Sequence, residues 1–153
     1  MKIINAEIND LSRLQSMYRD LSARLCALAP DYYQEAYQDY SLFTGIIEHR
    51  DAAVLIAVKN DEPVGMSTVW VKERPLAPHI RSKKSLQLSY LIAQDEATEA
   101  ALIHAAENFA LERGIDILQV SIHKNDNHAQ KLHTGMGFEP EITAYTKKIA
   151  PQR

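Results

Sequence analysis

Apolar positions along the chain change period several times, and each change marks an element. Residues 2–8 are β-prone and predict a first strand. Asn9 or Asp10 then offers a helix cap. Leu11, Leu14, Met17, Tyr18, Leu21 and Leu25 follow at steps mostly of three or four, the stripe of an amphipathic helix. Pro30 ends it. A second helical stretch, 32–49, carries Tyr33, Tyr37 and Tyr40 on one face and then Leu42, Phe43, Ile46 and Ile47. The tyrosines are either packing residues with hydroxyls at the rim or an aromatic wall for a bound substrate.

The period then becomes that of strands. Ala52–Lys59 and Val64–Lys72 flank Asn60-Asp61-Glu62, which is turn chemistry, so the two runs predict a hairpin. Gly65 inside the second run marks a bulge or a close backbone approach. Residues 73–84 hold two prolines and form a loop; Arg74, Arg81, Lys83 and Lys84 either attract an anion there or are solvated. Leu86–Ile92 is the next strand. Residues 96–113 are the best-marked helix, with Leu102, Ile103, Ala106, Phe109 and Ala110 on its apolar positions and Gly114 as its stop. Residues 115–123 alternate little and predict a long central strand. Asp126 or Asn127 caps a short helix with Ala129, Leu132 and His133, and a last strand is expected near 141–149. The predicted order is β-α-α-β-β-β-α-β-α-β: an α/β chain with a mixed sheet, in one domain spanning 1–153.

Composition narrows the function classes. A net charge of −3 argues against a nucleic-acid binder, which needs a basic face. Cys26 is the one cysteine, so no disulfide forms within the chain and a reducing, cytoplasmic setting is expected. No apolar run is long enough to span a membrane. His123, His128 and His133 recur at intervals of five, which does not place two ligands on one helical face, so no metal site is expected.

Three phrases then add a resemblance. The hairpin Val54-Leu55-Ile56-Ala57-Val58-Lys59-Asn60-Asp61-Glu62-Pro63-Val64-Gly65 is similar to one signature of the GNAT superfamily of acetyl-CoA-dependent N-acetyltransferases. The helix Ala101–Gly114 resembles the family's helix after the cofactor loop. Asn125-Asp126-Asn127-His128-Ala129 followed by Gly137-Phe138 resembles its closing motif. The resemblance covers nearly the whole chain. It implies the GNAT acyltransferase fold, acetyl-CoA as donor, a small-molecule or peptide amine as acceptor, and direct attack of the amine on the thioester. The open sheet of that fold also makes a homodimer an expectation.

Carried over residue by residue, the resemblance places Leu91, Ile92 and Ala93 along the pantetheine arm. Gln94, Ala97, Thr98 and Glu99 border the pyrophosphate, and Asp126 and Ala129 flank the lower arm. The family's proton-donating tyrosine falls on His133, which is either that acid or a helix-surface histidine. Glu73 is a candidate base, and Tyr33, Tyr37 and Tyr40 are candidate acceptor-binding residues. The chain departs from the pattern in its cofactor loop. No glycine lies between Ile92 and Ala101, and Asp95, Glu96 and Glu99 stand where the pyrophosphate belongs. A carboxylate about 5 Å from a phosphate charge costs about 3 kcal/mol at an effective dielectric of about 20. The same acids also cap a helix and complement its dipole. A domain of this fold that has lost catalysis and serves as a binding or regulatory module is the alternative reading.

Overall fold

A computed structural model describes residues 1–36, 40–73, 77–81 and 83–150, with the side chain of Tyr40 left out. Five strands form one sheet in the order β1-β2-β3-β4-β5: Lys2–Asn5, Ala52–Lys59, Glu62–Glu73, Lys84–Ala93 and Leu118–Val120. All neighbours are antiparallel except β4 and β5. Four α-helices accompany them: α1 (Leu11–Leu28), α2 (Tyr40–Glu48), α3 (Glu96–Glu112) and α4 (Asn127–Gly135).

The apolar run of β2 explains the layering. Six consecutive residues are buried because alternate side chains feed opposite faces. Ala53, Leu55 and Ala57 join Leu102, Ile103, Ala106 and Phe109 of α3. Val54, Ile56 and Val58 join Leu14 of α1 and Phe43 of α2 on the other face. The hairpin turns at Asn60 and Asp61, with φ of 51° and 62°, as a two-residue turn matched to strand twist requires. At the end of α3, Gly114 adopts φ +68° and the Ile115 N–H returns to the Ala110 carbonyl at 2.9 Å, the expected stop.

Four expectations are corrected. The first strand is shorter, since Glu7 donates its N–H to Asp10 Oδ2 and a single helical turn at Ile8–Asp10 replaces the rest. The helix expected at 32–49 begins only at Tyr40. Before it, the N–H groups of Tyr32 and Tyr33 both bond the Ala29 carbonyl, and that of Ala36 bonds Ser22 Oγ, so α1 satisfies this backbone and no helix forms through 32–36. Tyr33 is therefore not part of a helical tyrosine stripe; Tyr37 lies outside the described residues. The long central strand at 115–123 is three residues long and ends the described sheet. Residues 141–149 have an extended strand's composition but form no strand, because β5 pairs too briefly to continue a ladder beside them.

Candidate functional site

The site begins with a bulge. Met66 pairs with Ile92 and Thr68 with Ser89, so Tyr90 and Leu91 of β4 stand opposite the single residue Ser67. Tyr90 takes φ +51°, a conformation that a bulky residue holds only where its surroundings impose it. Its ring is fixed by an edge contact with Tyr18, whose hydroxyl burial and then Tyr90 push to higher pKa. Gly65 makes the close approach possible: a Cβ there would sit 2.8 Å from the Ile92 carbonyl oxygen and 2.9 Å from Ala93 Cβ. Beyond the bulge β4 leaves β5, whose pairing stops at Leu88 and Val120.

The two strands part around a cavity of about 210 Å³. Leu21, Arg24 and Leu25 of α1 border it, together with Tyr33. Ser89–Leu91 and Val120–His123 form its strand walls. Glu99, Asp126, His128, Ala129, Leu132 and His133 contribute from α3 and the α4 region. Tyr33 packs its ring against those of Tyr32 and His123, and burial, then Tyr32, then Asp126 raise its hydroxyl pKa.

His133 is 3% exposed, so it is not the surface histidine that its place on a short helix allowed. Its Nδ1 lies 2.7 Å from the Ala129 carbonyl. A carbonyl only accepts, so Nδ1 carries a proton, and in the neutral ring the lone pair is on Nε2. That Nε2 is buried without a partner, on a side chain that lines the cavity. Phe138 holds the ring edge-on at 5.0 Å.

Beside it, Glu99 is 6% exposed and its Oε2 lies 2.7 Å from His128 Nε2. Asp95 caps α3 by accepting from the Thr98 N–H at 2.8 Å. Hydrogen bonding by Thr98, side chain first and amide second, holds the Asp95 carboxyl below its ordinary range. Asp126 does the same service for α4 through the Ala129 N–H at 3.0 Å. The start of α3 is thus occupied by the protein's own acids. These acids stand where the resemblance puts a pyrophosphate.

Of the residues singled out from sequence, Tyr33, Leu91, Glu99, Asp126, Ala129 and His133 meet at this cavity. Others stand apart. Ile92 packs into the core on the α1 face and Ala93 on the α3 face. Gln94 bonds through its N–H to Val64 O, Ala97 is exposed, and Thr98 is buried with its hydroxyl on Met1 Sδ. Glu73 lies at the other end of β4, opposite Lys84 in the register and 3.9 Å from its Nζ. Lys83 pairs with Asp116 at 3.8 Å, so these two loop cations serve separate ion pairs. Arg24, Ser89 and Tyr90 border the cavity without a sequence signal of their own, as does His128, which the sequence placed only in the closing motif and among the spaced histidines.

No protein-family model matches the sequence, and neither does any curated protein. Solved structures do. A Bacillus halodurans protein, solved as a tetramutant, is 14% identical with a TM-score of 0.88 over 97% of this chain and 100% of its own. The aminoglycoside N-acetyltransferase AAC(6')-Iy, solved with CoA, is 16% identical with a TM-score of 0.69 over 97% and 100%. An aminoglycoside acetyltransferase from an uncultured soil metagenomic sample, solved with trehalose or sisomicin, is 19% identical with a TM-score of 0.67 over 97% and 96%. The fold is therefore the GNAT acetyltransferase fold, mixed sheet and parted β4 and β5 included. At these identities the likeness concerns the fold.

Proposed function

We propose that the chain transfers an acyl group, acetyl in the simplest case, from a thioester donor to an amine, the two substrates meeting in the cavity between β4 and β5. The observation that carries this reading is a lone pair on a buried, partnerless Nε2 of His133 at the wall of that cavity. The donor arm lies along the backbone of Leu91 and past Ala129, with acetyl-CoA the donor by analogy of fold. The acceptor enters from the α1 side, past Arg24 and Tyr33. His133 does more in this reading than donate a proton. As the amine nitrogen bonds to the acyl carbon, Nε2 takes the proton that the nitrogen sheds. The imidazolium returns it to sulfur as the carbon–sulfur bond breaks, so base and acid are one residue. Glu73, the last residue of β3 and paired with Lys84, has no part in it.

A second reading has its own observation. The Glu99–His128 pair and the Asp95 cap fill the start of α3, as in a domain that has given up the nucleotide and binds something else. One experiment separates the two. Thermal unfolding is followed with acetyl-CoA, with acetylated pantetheine and with adenine nucleotides, and thiol release is followed over a panel of amines. Ligand at about a hundred times its Kd adds about 2.7 kcal/mol, an upward shift of several degrees at this size. The acyltransferase reading expects that shift from at least one thioester. It also expects thiol release that falls by about 10²-fold or more in His133→Phe with the melting temperature of the free protein kept. No shift from either thioester at millimolar concentration sinks it and leaves the binding module.

A further inference from the structure

Opposite charges border the cavity from opposite faces of the sheet. Leu14 of α1 packs with Val54 and Ile56, whereas α3 and Leu132 of α4 pack with Leu55 and Ala57. Arg24 reaches the cavity from α1, Glu99 from α3, and Asp126 from the start of α4. The two acids are already engaged. Glu99 Oε2 lies 2.7 Å from His128 Nε2, and Asp126 Oδ1 accepts from the Ala129 N–H at 3.0 Å. Arg24 is different. It is the one lysine or arginine among the described residues that line the cavity, and it has no ion pair or hydrogen bond among the described residues. It is also exposed, so an anion reaches its guanidinium without displacing a buried contact.

An arginine with no acid of its own is a fork for a carboxylate, which it binds through two parallel hydrogen bonds. Leu21, Leu25, Leu91, Val120, Ile122 and Leu132 give the cavity apolar walls. Its volume of about 210 Å³ is below the roughly 300–1,000 Å³ of sites for drug-sized ligands, so the occupant is small. We propose that the amine acceptor is a free amino acid with an apolar side chain, held by its carboxylate on Arg24. This rests on the acyltransferase reading and names its second substrate. The ammonium end of the zwitterion is drawn to the side of Glu99 and Asp126, where His133 also lines the cavity. Once the ammonium has given one proton to solvent, the nitrogen bonds to the acyl carbon. Its second proton passes through His133 Nε2 to sulfur as the carbon–sulfur bond breaks, leaving an N-acyl amino acid and a free thiol. A carboxylate suits the site better than a phosphate, because Glu99 and Asp126 repel a second negative charge.

Thiol release tests it with leucine, methionine and phenylalanine, each beside its amide and its decarboxylated amine, on the unaltered chain and Arg24→Gln. The phosphonate analogue of leucine is a further arm. At least one amino acid is expected to exceed its amide and its amine in kcat/KM by about tenfold to a hundredfold. In Arg24→Gln that ratio falls to within about threefold of one, with the melting temperature of the free protein kept. A lost fold would lower all three acceptors together and leave the ratio. The proposal is overturned if the amines or amides are the better acceptors of the unaltered chain, if the ratio survives in Arg24→Gln, or if the phosphonate outruns leucine. Should no amine release thiol, the acyltransferase reading fails, and calorimetry with the three amino acids then decides the site alone. Binding that weakens about tenfold or more in Arg24→Gln keeps the carboxylate site; no binding to the unaltered chain overturns it.

Discussion

Two residues set the geometry of the fork. At Gly65 the neighbours of any added Cβ are backbone and a neighbouring Cβ, which cannot swing aside. Gly65→Ala is expected to destabilise by about 1–3 kcal/mol, read as a lower urea midpoint with unchanged slope. Tyr90 holds a left-handed backbone in the neighbouring strand, its ring edge-on to that of Tyr18. Asp95 acts on a different quantity. Its folded pKa is lowered, so the stability it contributes is present above the ordinary carboxylate range and is lost as pH falls through the lowered value. Chemical denaturation of the protein and of Asp95→Asn across acid pH tests this. The gap in stability between them should be constant near neutrality and close as the solution becomes strongly acidic. A gap that stays constant to the acid end, or widens there, contradicts the assignment.

Among the elements, α3 carries the tension between fold and function. Its start is stabilised by an acid cap and by a buried carboxylate paired to a histidine, which are the features that repel a nucleotide's phosphates. Replacing Ala97 and Glu99 together by glycine removes the charge and lets backbone N–H groups reach a phosphate. Acetyl-CoA binding by calorimetry is expected to tighten at least tenfold, since one such carboxylate is worth about 3 kcal/mol at an effective dielectric of about 20. No change would mean that the closure lies elsewhere in the cavity. Element by element, most of the fold was legible. The hairpin, α3 and α4 fall where periodicity, turn residues and caps put them, and α1 falls where its periodicity puts it, although Asp10 makes no cap bond to it and accepts from the Glu7 N–H instead. The helix predicted through 32–36 failed because the Ala36 N–H donates to Ser22 Oγ, fourteen residues earlier, instead of to a helical carbonyl.

For the whole molecule, the sheet is apolar on both faces over β2 and β3 and ends at β5 in a parted, partly paired edge. The cavity between β4 and β5 opens where the two strands part. Tyr33, Leu91, Glu99, Asp126, Ala129 and His133 of the candidate site were visible beforehand. Arg24, Ser89, Tyr90 and His128 join them from α1, β4 and α4, elements far apart in sequence.

The sequence by itself determined what depends on neighbours along the chain: the helix stripes and caps, the hairpin turn at Asn60-Asp61, the close approach at Gly65, and the motifs that resemble an acetyltransferase. Only the tertiary structure decided which of those residues meet at one cavity. Burial put the His133 ring against the Ala129 carbonyl and chose which nitrogen keeps its lone pair. The fold brought His128 of α4 within 2.7 Å of Glu99 of α3. Strand pairing left residues 141–149 without a ladder. The physical reason is the same in each case. Propensity and periodicity are summed over a few residues, whereas burial, tautomer and strand partner are settled by groups brought together from distant parts of the chain.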